Sequence, residues 1–150
     1  MIALIALGSN LGDRQGYLNA GLNALRTLGE VTPSPLVLET PDESGLGPAY
    51  LNTVVRLECR ETDPRRLLEV LFRIELAQGR DRSTGRNAPR TLDLDIIAIE
   101  GERGAWRWPR PDDLAVPWED LWLDLPHPRA LQREFVMAPL RALGLESMLH

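Results

Sequence analysis

The chain has 150 residues, a formal net charge of −5 and a hydrophobic fraction of 43%. This length suits one hydrophobic core, so we expect a single domain over residues 1–150. The negative charge argues against a nucleic-acid-binding protein, because such proteins usually carry a basic surplus. No apolar run approaches the roughly 20 residues that a helix needs to cross a bilayer, which argues against a membrane partner.

Two scarce residue types narrow the function further. Cys59 is the only cysteine, which excludes an internal disulfide and a zinc site built from several thiolates. All 17 basic residues are arginines, which excludes the phosphate-binding loop that ends in Gly-Lys-Ser/Thr. The apolar N-terminus has no basic region before it, so we interpret it as a buried strand rather than a signal peptide and expect a cytoplasmic location.

The hydrophobic pattern predicts elements in the order strand, helix, strand, strand, helix, strand. The first strand, residues 2–7, is wholly apolar, as expected for a strand covered on both faces. Asp13 is positioned to cap the first helix, and Gly29 to end it in a left-handed conformation. Pro64 opens the second helix. The remaining strands are predicted over residues 36–39, 51–57 and 91–99.

This order predicts an α+β fold, a ferredoxin-like βαββαβ sandwich in which an antiparallel sheet carries two helices. After Glu100 the pattern weakens into an extra C-terminal segment rich in tryptophan and proline. We expect its tryptophans to pack against the sheet edge or the main core, with a binding platform as the alternative. They are Trp106, Trp108, Trp118 and Trp122.

Two acids in the last predicted strand are candidates for metal binding. Asp93 and Asp95 stand two residues apart, so both face one side of the sheet while Leu94 and Ile96 face the other. Carboxylates at this spacing suit hard cations such as Mg²⁺, which takes oxygen ligands and keeps phosphates and waters in its shell. The alternative is a half-exposed strand with acids on its solvated side.

The loop before these acids carries Arg80, Arg82, Arg86 and Arg90. Guanidinium groups bind phosphate oxygens through paired hydrogen bonds and stabilise charge on a transferring phosphoryl group. One short stretch thus contains acids that can bind a metal ion and arginines that can bind phosphate. This combination predicts a phosphoryl-transfer site that needs no lysine. The alternative is a surface network in which the two sets of charges neutralise each other.

With these residues in place, the chain resembles the 6-hydroxymethyl-7,8-dihydropterin pyrophosphokinase family over nearly its whole length. The motif Pro89-Arg90-Thr91-Leu92-Asp93-Leu94-Asp95-Ile96 is the most specific part of the resemblance. Six further segments match in the same order: Ala6-Leu7-Gly8-Ser9-Asn10-Leu11-Gly12, Glu39-Thr40-Pro41, Tyr50-Leu51-Asn52, Arg73-Ile74-Glu75 through Gly79-Arg80, Pro126-His127-Pro128-Arg129, and Arg133-Glu134-Phe135-Val136-Met137-Ala138-Pro139-Leu140.

The resemblance implies a ferredoxin-like fold and Mg²⁺-dependent transfer of diphosphate from ATP to a pterin alcohol in folate biosynthesis. It implies that Asp93 and Asp95 hold two Mg²⁺ ions, and that Arg80 and Arg90 hold the phosphates as catalytic groups. ATP is the co-substrate, and the further ATP contacts implied are Glu75, Arg82, Ile96, His127 and Arg133. The partners expected are small molecules, and a monomer is favoured.

The resemblance also implies where the flat pterin ring binds. Tyr50 and Phe135 would sandwich it, and Asn52 would hydrogen-bond its edge. The remaining pterin contacts are assigned to the segment that contains Thr40, Pro41 and Leu46. Without the family, the two aromatic residues would be interpreted as ordinary core residues and Asn52 as a turn residue.

Some features of the chain depart from the family's pattern or leave alternatives open. Asn87-Ala88 replaces a frequent Trp-Gly, and Pro128 replaces an aromatic residue found in some members. Glu75 lies on the apolar stripe of its helix, so the alternative to an ATP contact is an acid that reaches solvent.

The loops over residues 40–49 and 79–90 are hypothesised to close over the substrates. The rival functions are a nucleotide-binding regulatory module and a two-metal phosphohydrolase.

Overall fold

A computed structural model describes residues 1–42, 44–79 and 91–150. The first half contains strand β1 (Ile2–Ser9), helix α1 (Arg14–Arg26), strands β2 (Gly29–Pro33), β3 (Leu38–Thr40) and β4 (Tyr50–Cys59), and helix α2 (Pro64–Ala77). The second half contains strands β5 (Asp93–Ile99), β6 (Gly104–Pro109) and β7 (Asp120–Leu125), and helix α3 (Glu134–Ala142). Among the described residues, no helix is both long and apolar enough to cross a bilayer.

The main sheet has the strand order β2-β4-β1-β5, and every pair in it is antiparallel. The short strand β3 also pairs with β4, beyond the end of β2. With β2 and β3 counted as one interrupted strand, this is the ferredoxin-like arrangement, and the predicted fold class is confirmed. The central strand β1 therefore has β4 on one side and the metal-ligand candidate strand β5 on the other.

Both faces of the sheet are covered, as the wholly apolar β1 predicts. Ala3, Ile5 and Leu7 belong to the core beneath α1 and α2, whereas Leu4 belongs to a second core on the opposite face. Helix α3 covers that second face with buried Val136, Met137 and Leu140. The sequence analysis did not predict this third helix. Its position matters because it forms one wall of the cavity described below.

Two of the sequence-based element predictions are wrong in detail. The predicted strand over residues 36–39 begins only at Leu38, as β3, and a separate strand that was not predicted, β2 (Gly29–Pro33), precedes it. The Ser34 hydroxyl accepts the N–H of Leu36 and donates to the carbonyl of Pro139 in α3, at 3.2 and 2.8 Å. This side chain replaces strand pairing with a local turn and ties it to α3.

Gly29 does not end α1 in a left-handed conformation, as the sequence predicted. It opens β2 opposite Cys59, and the left-handed glycine instead follows α2, where Gly79 has φ +84°. A Cβ added to Gly29 would lie 2.0 Å from the carbonyl oxygen of Glu58. Close approach of two backbones therefore explains this glycine.

The tryptophan-rich segment contains the two-stranded hairpin β6–β7. Trp106 and Trp108 pack against the core beneath α1 and α2, as predicted, and the Trp108 indole donates to Glu69 at 2.8 Å. Trp118 packs beside Phe72 of α2, with ring centroids 5.8 Å apart. Whether this segment is an addition to the family's fold stays a prediction.

The clash at Gly29 yields a stability test. We expect Gly29→Ala to lower the free energy of unfolding by about 1–3 kcal/mol, the usual cost of forcing an atom into packed space. Gly29→Asn should cost at least as much, because its Cβ meets the same carbonyl. Urea denaturation measures both variants. A Gly29→Asn protein clearly more stable than Gly29→Ala would instead support the left-handed cap, since asparagine tolerates that conformation.

Candidate active site

A row of residues across three strands forms the floor of the candidate site. Gly8 of β1 lies opposite Asn52 of β4 on one side and opposite Asp93 of β5 on the other. Ala6 lies opposite Asp95. Neighbouring strands are about 4.8 Å apart, so the row places an amide and a carboxylate roughly 10 Å from each other. Because Gly8 and Ala6 carry little or no side chain, the space between these polar groups stays open.

The alternation of β5 sends its side chains in the predicted directions. Asp93 and Asp95 are half-buried and face the α3 side, whereas Leu94 and Ile96 are buried in the core on the α1 and α2 side. The register with β1 shifts between Leu4 and Ile5, just beyond the two acids. The regular alternation therefore holds across both carboxylates.

A cavity of about 140 Å³ lies above this floor. It brings together eight of the residues singled out from the sequence, namely Thr40, Pro41, Tyr50, Asn52, Asp93, Asp95, Arg133 and Phe135. Asn52 Nδ2 donates to the Thr40 hydroxyl at 2.8 Å, so β3 and β4 are joined at the cavity wall. The Arg133 guanidinium lies 5.6 Å from the centroid of the Phe135 ring, within the range of a cation–π contact.

Gly8 is held closely beneath the cavity. A Cβ added there would lie 3.3 Å from Asn52 Oδ1 and 3.4 Å from Tyr50 Cδ1. The residues that follow Gly8 anchor the chain beside the cavity: Asn10 Nδ2 donates to the Pro48 carbonyl at 3.1 Å and Arg14 to the Ala49 carbonyl at 3.0 Å. The first matching motif thus contributes both a floor and an anchor.

Asp42 also shapes the chain segment beside the cavity and was missed by the sequence analysis. Its carboxylate lines the cavity and accepts hydrogen bonds from the Ser44 hydroxyl and the Gly47 N–H, at 2.9 and 2.8 Å. The hydrogen bond from Ser44 is the main reason that the pKa of Asp42 is lowered. Leu46, a predicted pterin contact, is 93% exposed and does not line the cavity.

Arg129 is a second residue that the sequence analysis did not assign. It lines the same cavity as Arg133, from the far side of the short turn Ala130–Gln132. Arg129 is the last residue of a motif that matches the family, so the sequence did mark it as a candidate. Sequence spacing alone does not show that a turn brings Arg129 and Arg133 to one cavity.

A second cavity of about 260 Å³ adjoins the first, and Asp95 lines both. The predicted ATP contacts Ile96 and His127 lie in its wall, together with Phe72 and Trp122. Trp122 is half exposed there and packs edge-on to Trp118 at a centroid distance of 5.3 Å. Two molecules bound in the two cavities would therefore meet at Asp95.

Glu75 lies behind the acids rather than in either cavity. Its side chain is fully buried, and its carboxylate accepts the N–H of Leu94 at 2.7 Å. The alternative of an acid reaching solvent is therefore wrong. An ATP contact by Glu75 stays a prediction, and the predicted phosphate ligands Arg80, Arg82 and Arg90, with Arg86 and Asn87-Ala88, lie outside the described residues.

The donor set fits a hard divalent cation. No group of three or more His, Cys, Asp or Glu side chains converges on one point within residues 1–42, 44–79 and 91–150. Asp93 and Asp95 would therefore need oxygen ligands from bound molecules, and Mg²⁺ is characteristically held by one or two carboxylates plus phosphates and waters. The cavity thus suits a metal that arrives with a phosphate-bearing substrate.

Comparison with known proteins decides the family. The sequence model of the 7,8-dihydro-6-hydroxymethylpterin-pyrophosphokinase (HPPK) family matches residues 4–144. The chain belongs to the HPPK family. It is 37% identical over 142 residues to the 2-amino-4-hydroxy-6-hydroxymethyldihydropteridine pyrophosphokinase of Bacillus subtilis, covering 93% of this chain and 75% of that protein. The protein of the same name from Haemophilus influenzae is 36% identical over 155 residues, covering 98% and 84%.

HPPK sequences also occur within longer relatives. The Arabidopsis thaliana folate synthesis bifunctional protein is 34% identical over 148 residues, which are 97% of this chain and 28% of that protein. The same HPPK unit is thus found as the larger part of one protein and as a minor part of another.

The surroundings of His127 in this HPPK chain lower its pKa and so favour the neutral ring. Burial is the main cause that lowers its pKa from the ordinary 6.5, and the positive charges of Arg133 and Arg129 lower it further. The N–H of Arg129 donates to His127 Nδ1 at 3.2 Å, so that nitrogen carries no proton. The other ring nitrogen then carries the hydrogen and is available as a donor.

The lowered pKa gives a pH prediction. Because protonation of His127 costs more in the folded state, its contribution to stability is complete above pH 6.5 and is lost as pH falls through the lower folded-state pKa. We expect His127→Gln to lose less unfolding free energy than wild type between about pH 7.5 and about pH 5. His150→Gln, at the exposed second histidine, should behave like wild type. Urea denaturation across this range checks it, and identical pH curves for wild type and His127→Gln would contradict the assignment.

Proposed function

We propose that this chain transfers diphosphate from ATP to 6-hydroxymethyl-7,8-dihydropterin, forming AMP and the pterin diphosphate, as a step of folate biosynthesis. The observation that carries the proposal is one cavity that combines two carboxylates with two aromatic rings and an amide. Family membership supplies the activity, since the matching family and relatives are named for this pyrophosphokinase.

The pterin is proposed to bind at the β4 side of the floor. Tyr50 on β4 and Phe135 on α3 both line the cavity. Their two aromatic rings suit a flat ring stacked between them. Asn52 has a carbonyl and an amide to offer the mixed donor and acceptor edge of the ring. Thr40 and Pro41 complete this side, and Leu46 would join it only if the exposed segment moved inward.

ATP is proposed to bind at the β5 side and to extend into the second cavity. Ile96 would contact the nucleoside end, and His127 and Arg133 would contact the phosphates. From the resemblance, Arg80, Arg82 and Arg90 complete the phosphate contacts, with Arg80 and Arg90 stabilising charge as the phosphoryl group moves. The resemblance also assigns Glu75 to the nucleoside side of the ATP site, although its carboxylate is buried outside both cavities. Arg129 is a further candidate for the phosphates because it lines the carboxylate-bearing cavity.

Asp93 and Asp95 would hold the Mg²⁺, and the family pattern implies two ions. A Mg²⁺ ion held by these two carboxylates would supply positive charge to the phosphates and would lower the pKa of the attacking hydroxyl. The hydroxymethyl oxygen of the pterin attacks the β-phosphorus, the bond from that phosphorus to the α-phosphate oxygen breaks, and AMP leaves. The hydroxyl proton passes to solvent. The residues of the chain act mainly by holding these reactants in line and balancing their charge.

The two rival functions fit the cavity less well. A regulatory module would need the nucleotide side alone, and a two-metal phosphohydrolase would need only the metal and phosphate groups. Neither uses the paired rings beside Asn52. A single domain over residues 1–150, a monomeric state and a cytoplasmic location stay predictions.

The main test is AMP formation from Mg-ATP with and without the pterin. We expect pterin-dependent AMP from wild type and a loss of roughly 10²–10³-fold in kcat for Asp95→Asn, the range for removing one preorganised electrostatic group. Asp113→Asn is the matched control, because Asp113 pairs with Arg73 on the exposed surface and lines neither cavity. ATP binding without AMP formation would favour the regulatory module, and phosphate release without pterin the hydrolase.

A second test separates the two substrate subsites. We expect Tyr50→Leu to raise the KM for the pterin about tenfold, consistent with loss of roughly 1–2 kcal/mol of stacking, and to leave the KM for ATP nearly unchanged. Tyr17→Leu, the same change at the other tyrosine, should alter neither. Steady-state kinetics with each substrate varied in turn provides the measurement. A rise in the KM for ATP alone would show that the subsites are assigned the wrong way round.

A further inference from the structure

We infer that Glu75 is a positioning residue that fixes the strand carrying Asp93 and Asp95. Glu75 lies in α2 one turn after Leu71, on the face that packs against the sheet, and it is fully buried. Its carboxylate oxygen Oε2 accepts the backbone N–H of Leu94 at 2.7 Å. Leu94 is the residue between the two acids, so this bond holds the peptide that connects them.

The position of β5 in the sheet explains why this bond matters. In the part of the chain that the structure describes, β5 is the last strand in the order of the main sheet and lies next to β1. Successive residues of an antiparallel strand direct their N–H groups alternately towards and away from the neighbouring strand. The N–H of Leu94 is directed to Glu75, and those of Asp93 and Asp95 therefore face β1. The Glu75 carboxylate therefore provides the hydrogen-bond acceptor that a further strand would otherwise provide for the N–H of Leu94.

The residue type at position 75 follows from this role. Burial of a carboxylate is costly unless hydrogen bonds compensate it. A leucine here would complete the apolar stripe of α2 but would leave the N–H of Leu94 without this acceptor at the sheet edge. An acid on the apolar face is therefore the arrangement that anchors the edge strand from behind.

The consequence concerns metal affinity and rests on the proposed function. Mg²⁺ demands near-ideal octahedral geometry with short bonds to oxygen. A peptide free to shift between Asp93 and Asp95 would change the direction of both carboxylates together. Residues that orient metal ligands in this indirect way typically affect affinity by 10–100-fold when they are mutated.

The experiment measures cation binding without turnover. Mn²⁺ is titrated into the protein saturated with α,β-methylene-ATP, which cannot release AMP, and free Mn²⁺ is followed by electron paramagnetic resonance. We expect Glu75→Leu to weaken Mn²⁺ binding roughly tenfold or more. Glu75→Gln keeps an oxygen acceptor for the Leu94 N–H and should stay within a few-fold of wild type. Leu67→Ala, a core truncation in the same helix, controls for loss of stability alone, with each thermal midpoint measured beside it.

Each outcome decides the question. Weak Mn²⁺ binding in Glu75→Leu, with near-normal binding in Glu75→Gln and Leu67→Ala, supports the positioning role. Equal weakening in the Gln and Leu variants overturns it, because charge rather than the hydrogen bond would then matter. Unchanged Mn²⁺ binding in Glu75→Leu, whatever its thermal midpoint, also overturns it. Wild type that binds Mn²⁺ but forms no pterin diphosphate would overturn only the proposed function, whereas wild type that binds no Mn²⁺ would overturn both.

Discussion

The antiparallel register of β1 with its two neighbours is the constraint on which the site depends. It places Gly8 between Asn52 and Asp93, and Ala6 beside Asp95. A shift of either pairing by one residue would turn the amide or the carboxylates into the opposite core. The same register buries Leu7 beneath the helices. One strand pairing therefore positions both the core and the polar row, and the small residues Ala6 and Gly8 of β1 leave the space in which the cavity opens.

Much of this arrangement follows from local sequence patterns. Period-two alternation was enough to predict that Asp93 and Asp95 share a face, and the wholly apolar β1 indicated cover on both sides. The element order predicted the ferredoxin-like sheet. These features depend on neighbours in sequence, where the geometry of a strand fixes direction. The strand predicted over residues 36–39 starts two residues late because Ser34 forms hydrogen bonds with Leu36 and with Pro139, and the second bond joins residues 105 apart in sequence.

What could not be predicted depends on contacts between distant segments. Phe135 was assigned through the family motif, but the helix that carries it, and the face that this helix covers, were not predicted. Arg129 reaches the cavity only because a short turn follows it. Glu75 was recognised as an acid on an otherwise apolar helix face. Its carboxylate accepts the backbone N–H of Leu94, which lies 19 positions away in sequence. A sequence pattern shows that such a residue is unusual, but the reason lies in tertiary structure.

The charges of the site explain why metal and nucleotide should bind together. Asp93 and Asp95 face the same cavity as Arg129 and Arg133, so the described part of the site has groups of both signs. A polyphosphate approaching the acids alone would be repelled, and the acids alone supply too few oxygens for an octahedral shell. A cation carried by the phosphates removes both obstacles, because phosphate oxygens complete its coordination while it neutralises the carboxylates. On the proposed assignment, the β5 edge, which Glu75 holds from behind, would need to recognise only the metal–nucleotide complex. The open floor at Gly8 would leave the acceptor free to approach from the side of Asn52.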